Sequence, residues 1–395
     1  MGRAFRIRQR KKRNQPPVNI IRDTEVEDLC KWMSVKNWTS TCSLRLFNFP
    51  NTGRGLQALC SISKGDVLVS IPKELIITCT SAIKSPLMDQ IFKRSCSSSL
   101  FPIAQQILAT FLLLEQRKEE SEWRLYLQSI PKSFTTPHFA TDLNKLPDYL
   151  SDKVKSEILR VKSSLDWANQ ELQRCKIEKF LWPEYRWAWF AVNTRAVFVK
   201  PSEDDKICRD KDNIALAPYL DLLNHSPNIR PNKVGWNGDF YHIVASESFK
   251  KHTQAFISYG AHDNFTLCLE YGFVVPGNPN DRVLLSEEEI LKSLEPEKKI
   301  NKVDGLMWCT REGLNWTALV FVSKCINLSA VNFAENEKVL RASEKVICCK
   351  IKNLELQIEK YLTEDLCESL CVVKELILEH LDLLKTALLA TLTRN

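Results

Sequence analysis

The sequence lacks a long apolar segment. Its longest apolar stretch, residues 107–114, is closed by Glu115 and Arg117, whereas a membrane-spanning helix needs roughly 20 apolar residues. The N-terminus begins with arginines that no apolar segment follows, so we expect neither a secretory signal nor a membrane partner. With 395 residues, 44% of them hydrophobic, the chain is long enough for two or three domains and more than one buried core.

A surplus of positive charge is absent from most of the chain. Lys and Arg number 55 and Asp and Glu 48. The seven extra positive charges all lie near the N-terminus, at Arg3, Arg6, Arg8, Arg10, Lys11, Lys12 and Arg13. A groove that binds nucleic acid needs a basic surplus, so we expect the folded part to bind none. The basic residues favour a disordered leader, with a nuclear-import signal as the second interpretation, and we expect the protein in the cytoplasm and the nucleus.

Cysteine pairs with the spacing of metal ligands are missing too. None of the 14 cysteines forms a C-x-x-C motif. Cys348 and Cys349 are adjacent, and the others are scattered, mostly among apolar neighbours. In a chain without a secretory signal, this pattern is typical of reduced, largely buried thiols. We therefore predict neither a disulfide framework nor a metal site.

Glycine is missing between Gly65 and Gly235 and after Gly313. Because glycine favours tight turns, its clusters predict strands, and the spacing of apolar residues in the glycine-free stretches predicts helices. We predict strands in residues 56–62, 67–71, 195–199, 240–245 and 255–259, and helices in residues 102–117, 121–131, 148–180, 183–195 and from about 286 to the end. The two groups of strands must build one sheet system, because neither group is large enough alone.

Three short motifs could carry chemistry, but none is decisive alone. Gly53-Arg54-Gly55 opens a G-x-G-x-x-A pattern, yet a dinucleotide-binding motif needs a helix after it, and here a strand is predicted. The motif is then a plain turn or a backbone wrapped closely around a ligand. Asn224-His225-Ser226 is more typical of a turn, since no G-x-S-x-G motif supports hydrolysis. Tyr259-Gly260 and Tyr271-Gly272-Phe273 could be core aromatics.

The order of these motifs along the chain resembles that of a SET-domain protein methyltransferase. The helical insert before Arg195 and the helical tail are similar to the Rubisco large-subunit methyltransferase branch of that family. The most specific blocks are residues 192–197 (VNTRAV), 215–227 (ALAPYLDLLNHSP) and 259–264 (YGAHDN). The resemblance covers about residues 28–395.

The resemblance implies an α+β fold. This is a SET-domain β-clip with a pseudoknot crossing between the Asn224-His225 and Tyr259 segments, a large inserted helical subdomain and a C-terminal all-α domain. The implied parts begin with a basic leader at residues 1–27. The SET domain is formed by residues 28–78 and 190–276, with a helical insert at residues 79–189 between its two parts. A helical substrate-docking domain follows at residues 286–395. The tail could equally be a lid that covers the apolar face of the clip.

The resemblance also implies S-adenosyl-L-methionine as the cofactor. Thr52, Gly53 and Arg54 would contact the cofactor mostly through their backbone. Arg195 would approach its methionine carboxylate, which suits the geometry of a guanidinium group. The segment that would line the adenosine side comprises Asp221, Leu222, Leu223, Asn224 and His225.

The remaining site residues implied by the resemblance are aromatic or flank an aromatic residue. Tyr271, Gly272 and Phe273 would close the pocket, and the two rings would favour a cationic methylated product. Tyr259 matches the family's catalytic tyrosine. Its hydroxyl would orient the acceptor amine rather than act as a strong base.

The implied function is that of a protein-lysine N-methyltransferase, a monomer that acts on lysine-bearing proteins, histone tails among them. SET enzymes that act on chromatin often end in a zinc-binding cysteine cluster, which helices replace in this chain, so no particular histone site is implied. Two alternatives stay open. One is transfer to histidine, as in a relative in this branch, and the other is a catalytically silent SET-fold scaffold whose tail binds partners.

Overall fold

The structure, a computed structural model, describes residues 24–95, 103–199, 213–296, 300–328, 336–361 and 366–393. The chain divides into two compact units, the first made of residues 1–131 and 168–259 and the second of residues 132–167 and 260–395. Residues 79–189, which we predicted as one helical insert, thus contribute to both units. The basic run of the predicted leader lies outside the described residues. The domain boundaries stay a prediction.

Strands lie on both sides of the turn predicted at residues 63–66, although the first of them covers residues 53–58 rather than 56–62, and it pairs with an earlier strand that the sequence did not predict. β1 (Leu44–Phe49) and β2 (Gly53–Ala58) form an antiparallel hairpin in which Phe49 pairs with Gly53, and β3 (Val67–Pro72) follows. Gly53 has a φ of 64°, the left-handed conformation that a three-residue hairpin turn favours at its end. A strand rather than a helix therefore follows the glycine motif, which confirms that it is not a dinucleotide-binding motif.

Four of the described helices up to residue 195 were predicted individually, and three, at residues 24–35, 79–83 and 86–95, were not. The helices up to residue 195 are α1 (Thr24–Val35), α2 (Cys79–Ile83), α3 (Pro86–Ser95), α4 (Ala104–Gln116), α5 (Arg124–Ser129), α6 (Asp148–Arg174) and α7 (Trp182–Arg195). The longest apolar stretch of the chain lies in α4, which is buried along almost its whole length. α6 ends before the predicted residue, because Lys176 turns the chain with a φ of 57°. α7 carries Pro183 in its first turn, where proline is tolerated.

The later strands of the first unit pair with the early ones. They are β4 (Ile77–Thr78), β5 (Val197–Phe198), β6 (Ile214–Leu216), β7 (Asn224–His225), β8 (Val234–Asn237), β9 (Phe240–Val244) and β10 (Phe256–Ile257). The sheets have the orders β4-β6-β5 and β3-β9-β8, with a parallel pair of β7 and β10. Ile71 lies opposite Tyr241, so the distant strand groups share sheets, as predicted. The predicted strand at residues 195–199 begins later than expected, because α7 continues through Arg195.

The second unit is mostly helical but also contains a small sheet. Its later elements are β11 (Val283–Leu285), α8 (Glu287–Leu294), β12 (Met307–Thr310), β13 (Gly313–Leu314), α9 (Trp316–Cys325), α10 (Glu337–Glu359) and α11 (Glu368–Leu392). The prediction of helix throughout this region is wrong at the β12–β13 hairpin. Met307 and Cys309 alternate with less buried neighbours, and Gly313 has a φ of 119°. A four-residue strand is too short for its period to stand out in the sequence.

The predicted helical tail packs around its own core. Val346 and Leu354 of α10 and Leu376 and Leu384 of α11 belong to one buried cluster, with the spacing of an amphipathic helix. Within the part of the chain that the structure describes, no helix combines the length and the apolar character that crossing a membrane requires. The described residues also contain no group of three or more His, Cys, Asp or Glu side chains that could hold a metal ion.

The cysteines are less buried than predicted. Of the twelve that the structure describes, five are buried, so the prediction of largely buried thiols is wrong for the set as a whole. Cys60 lies in the bend after β2 and Cys371 in the first turn of α11, and both are exposed. Apolar neighbours in sequence do not ensure burial, because adjacent residues point to different sides of a strand or helix.

Candidate active site

The turn between β1 and β2 carries the first group of predicted site residues. The Thr52 hydroxyl donates to Gln254 Oε1 at 2.8 Å, and the Arg54 guanidinium donates to the carbonyl of Ser129 at 3.2 Å. Gly53 is exposed, and a Cβ atom added to it would meet no atom within 4 Å. The turn is therefore held at both ends by side-chain bonds, while the backbone at its centre is open to a ligand.

The side chain of Asn224, on β7, bonds the same turn. Its Nδ2 atom donates to the carbonyl of Arg54 at 2.9 Å and to that of Thr52 at 3.4 Å. A Cβ atom added to Gly55 would lie 2.7 Å from Asn224 Nδ2 and would collide with the amide of Gln254. Any larger residue at position 55 would have to displace these amides, because the side chains of Asn224 and Gln254 pack directly on the backbone of β2.

The parallel β7–β10 pair brings two predicted segments together. Asn224 pairs with Phe256 and His225 with Ile257. Just beyond β10, the backbone N–H of Tyr259 donates to His225 Nδ1 at 3.0 Å. The Tyr259 hydroxyl donates to the carbonyl of Leu223 at 2.7 Å. Both the main chain and the side chain of Tyr259 are thus oriented by the Leu223–His225 segment, at the contact that the predicted crossing requires.

Leu222 and Leu223 belong to the core rather than to an open surface. Leu222 ends a 3₁₀ turn that begins at Leu220, and only 5% of Leu222 and 1% of Leu223 is exposed. Any contact of these two residues with a ligand would therefore come from their backbone atoms.

A buried ion pair links Arg195, at the end of α7, to Asp221. Arg195 Nη1 donates to Asp221 Oδ2 and to the Asp221 carbonyl, both at 3.2 Å. The Tyr126 hydroxyl donates to the same Oδ2 atom at 3.1 Å. Burial raises the pKa of Asp221 above its ordinary value, and Arg195, the hydrogen bond from Tyr126 and the charge of Arg54 offset only part of this rise. The carboxylate is thus buried but well supplied with donors.

The Arg195 guanidinium keeps one buried donor unused. Its Nε atom has no hydrogen-bond partner among the described residues, although only 14% of the side chain is exposed. A buried N–H without an acceptor is unfavourable. Because Nη1 serves Asp221, the edge that carries Nε is the one that could receive an anionic ligand.

Tyr271, Gly272 and Phe273 lie in the second unit. They end a π-helical turn, Leu267–Tyr271, where Gly272 has a φ of 78° and its carbonyl accepts the Thr135 hydroxyl at 2.6 Å. The ring centroids of Tyr271 and Phe273 are 6.2 Å apart. All other predicted site residues lie in the first unit. The closing of a pocket by these three residues stays a prediction.

Two residues that contact the predicted site were not found by sequence reasoning. Gln254 is 8% exposed and packs on the glycine turn, and Tyr126 is fully buried and bonded to Asp221. Gln254 stands before a strand of only two residues, where no period indicates its direction. Tyr126 sits between Leu125 and Leu127 and looks like an ordinary core aromatic. Neither position carried a signal that could have identified it.

Known proteins are similar to this chain in sequence and in fold. A model of the SET domain family matches residues 53–260. SET domain-containing protein 4 of Homo sapiens is 33% identical over 363 residues, which are 86% of this chain and 81% of that protein. Actin-histidine N-methyltransferase of Dasypus novemcinctus is 26% identical over 289 residues, 69% of this chain and 47% of that protein.

A solved structure agrees with the fold. The crystal structure of the SET domain of LSMT bound to lysine and AdoHcy superposes with a TM-score of 0.63 at 18% identity, and the match covers 95% of this chain and 92% of that one. The predicted α+β SET architecture is thereby confirmed. Together, the family match and the 33% identity over most of the chain establish that this protein belongs to the SET-domain family and has its methyltransferase fold.

Proposed function

We propose that this protein is an S-adenosyl-L-methionine-dependent protein-lysine N-methyltransferase. One arrangement carries the proposal: Tyr259 is bonded through its N–H to His225 and through its hydroxyl to Leu223, next to the Asn224 side chain that holds the glycine turn. The segments that the resemblance assigns to methyl transfer are thus brought together from three distant parts of the chain.

The residues present fit the proposed cofactor. The unused Nε donor of Arg195 suits its carboxylate, because guanidinium and carboxylate pair through parallel hydrogen bonds. The open backbone of Thr52, Gly53 and Arg54 and the Asn224-His225 segment would hold the rest. When bound, S-adenosyl-L-methionine supplies an electrophilic methyl group on a positively charged sulfur.

Tyr259 is suited to position the acceptor nitrogen. Its hydroxyl proton is already donated to the Leu223 carbonyl, so the phenol oxygen can accept a hydrogen bond from an amine. A lysine must lose its proton before it can attack, which costs roughly 4 kcal/mol near pH ~7.4 for a pKa of about 10.4. Apolar surroundings reduce this cost by lowering the pKa of the amine, and fixed geometry supplies much of the remaining acceleration.

A second acceptor, histidine, has its own support. A relative that is 26% identical carries the name actin-histidine N-methyltransferase, whereas the solved LSMT structure contains lysine. The two functions differ in the atom that is methylated.

We also propose that histone tails are among the substrates, that the protein acts as a monomer, and that it works in the cytoplasm and the nucleus.

The test is methyl transfer by the purified protein. The protein is incubated with S-adenosyl-L-methionine carrying a labelled methyl group and with a peptide array that contains lysine and histidine peptides, and mass spectrometry locates the modified atom. We expect label on lysine Nζ. Label on an imidazole nitrogen would replace lysine by histidine as the acceptor. Cofactor binding without any transfer would favour the scaffold.

Tyr259→Phe tests the assigned role of the tyrosine. We expect the rate to fall about 100-fold, since a misplaced acceptor costs that much. Tyr241→Phe is the matched control, because its hydroxyl donates to the Phe198 carbonyl at 2.7 Å elsewhere in the same unit. Equal rates for the two variants would contradict the role of Tyr259.

A further inference from the structure

We infer that Tyr126 is a positioning residue for the cofactor: through Asp221 it orients Arg195, so that the guanidinium presents its unused edge to the carboxylate of S-adenosyl-L-methionine. This inference rests on the proposed function. It assigns a role to a helix that the glycine, Asn-His and tyrosine motifs do not include.

The geometry gives Tyr126 a direct hold on Asp221. Asp221 Oδ2 accepts the Tyr126 hydroxyl at 3.1 Å and Arg195 Nη1 at 3.2 Å. The carboxylate is therefore held from two sides, by α5 and by the end of α7. Without the tyrosine hydroxyl, the carboxylate is held by Arg195 alone and can turn. The guanidinium then loses one of its two fixed acceptors and keeps the Asp221 main-chain carbonyl.

The charge states agree with this role. Burial, together with the nearby Asp221 charge, holds the pKa of Tyr126 well above its ordinary value, so the phenol keeps its proton and acts as the donor. The side chain of Asp221 is 3% exposed and that of Arg195 is 14% exposed, so water does not replace the hydroxyl easily. A hydrogen bond to a charged group in such surroundings is stronger than one at the surface.

Helix α5 bonds Arg54 directly and reaches Arg195 through Asp221. The carbonyl of Ser129, the last residue of α5, accepts the Arg54 guanidinium at 3.2 Å. The Ser129 hydroxyl in turn donates to the Tyr126 carbonyl at 2.7 Å. A single short helix thus supports the glycine turn at one end and the Arg195–Asp221 pair at the other.

The experiment compares two probes that differ only by a carboxylate. Calorimetry measures the affinities of S-adenosylhomocysteine and of its decarboxylated analogue S-adenosyl-3-thiopropylamine for the wild-type protein and for Tyr126→Phe. We expect Tyr126→Phe to weaken S-adenosylhomocysteine by about tenfold and to leave the analogue unchanged. In turnover assays, the KM for S-adenosyl-L-methionine should rise while kcat at saturating cofactor is kept. Tyr241→Phe is the control and should change neither affinity.

A double variant separates the positioning role from a general disturbance of folding by the phenylalanine, because such a disturbance would also lower the affinity when Asp221 is replaced. Asp221→Asn keeps the shape of the side chain, and in this background Tyr126→Phe should cause no further loss of S-adenosylhomocysteine affinity, since both changes break one chain of contacts. Equal weakening of both probes by Tyr126→Phe, or additive losses in the double variant, would overturn the positioning role. Failure of the wild-type protein to bind either probe would instead overturn the proposed function, and the positioning role with it.

Discussion

At Gly55, the absence of a side chain lets two amide side chains pack on the backbone of β2. The backbone φ of this residue is not in the left-handed region, so alanine is excluded only by the amides of Asn224 and Gln254 that pack on it. We expect Gly55→Ala to displace both amides, to lower the free energy of unfolding by about 1–3 kcal/mol, and to weaken S-adenosylhomocysteine binding at least about tenfold. Thermal unfolding and calorimetry measure the two effects.

Gly65→Ala separates binding from stability. Gly65 has a φ of 97°, and an added Cβ atom would meet nothing within 4 Å, so this change introduces backbone strain without a collision. It should destabilise the protein while leaving cofactor affinity unchanged. A loss of affinity as large as that of Gly55→Ala would show that general destabilisation, and not the amide contact, accounts for the first result.

His380 makes the stability of the second unit sensitive to acid. Burial lowers the pKa of His380 to about 3; the charge of Lys350 adds to this lowering, and the charge of Asp263 opposes it. Asp281 Oδ1 lies 4.0 Å from His380 Nε2. An unfolded histidine titrates near a pKa of about 6.5, so the unfolded state binds the proton first. Stability contributed by the neutral imidazole is therefore present above about pH 6.5 and is lost as the pH falls toward ~3, by up to about 5 kcal/mol.

Asp281 acts in the opposite direction over part of this range. Burial raises its pKa from 3.8 to about 6, so the folded state binds this proton first and the loss is partly offset below about pH 6. Urea unfolding near pH ~7 and near pH ~5 should show a smaller acid effect for His380→Met than for the wild type. His242→Gln, on β9 of the first unit, should not reduce the acid effect. Identical pH dependence of the wild type and His380→Met would contradict the assignment.

At the scale of elements, Asn264 closes the segment that carries Tyr271 and Phe273. The side chain of Asn264 accepts the Val275 N–H at 2.9 Å, donates to the Val275 carbonyl at 3.0 Å and donates to Asp281 Oδ2 at 2.8 Å. The residue is 0% exposed. Residues 264 and 275 are thus joined as two paired strands would be, around a single π-helical turn, a rare conformation in proteins.

Removing this amide should loosen the whole segment. Asn264→Ala removes the acceptor of the Val275 N–H and the donor to Asp281 Oδ2, and we expect it to lower the free energy of unfolding by roughly 3 kcal/mol. Hydrogen exchange at residues 265–274 should become faster than in the wild type. Asn280→Ala is the control, since the hydrogen bond of Asn280 to Asn278 Oδ1 uses its main chain. Unchanged exchange in Asn264→Ala would mean that packing alone holds the segment.

At the scale of the whole molecule, the positive charge and the predicted site are separate in sequence. The seven basic residues of the leader precede residue 14, and the first predicted site residue is Thr52. We expect deletion of residues 1–23 to leave S-adenosylhomocysteine affinity within about twofold. It should also abolish any binding of a DNA duplex at low salt, because such binding depends on local basic charge. Calorimetry and fluorescence anisotropy test the two outcomes, and salt-sensitive DNA binding by the truncated protein would contradict the charge argument.

Several elements were predictable because their signals are local. α8 begins after Ser286, whose hydroxyl accepts from the Glu289 N–H at 3.1 Å while the Glu289 side chain accepts from the Ser286 N–H at 2.8 Å, a capping pattern written in four consecutive residues. α7 begins with a proline in its first turn. Gly53, a glycine at the end of a tight turn, adopts the positive φ that this residue type favours. Such signals depend on neighbours in sequence and not on the rest of the fold.

Sequence alone determined the positions of α4, α5 and α7, the separation of the basic leader and the order of the motifs, because periodicity, capping and composition are properties of short segments. Only the tertiary structure decided the pairing of β7 with β10, the β12–β13 hairpin, and the contacts of Gln254 and Tyr126 with the site. Two-residue strands have no period, and a buried polar side chain is defined by a partner far away in the chain. Tyr126 and Asp221 are 95 residues apart, and the carboxylate that gives the tyrosine its role reaches it only when the chain has folded.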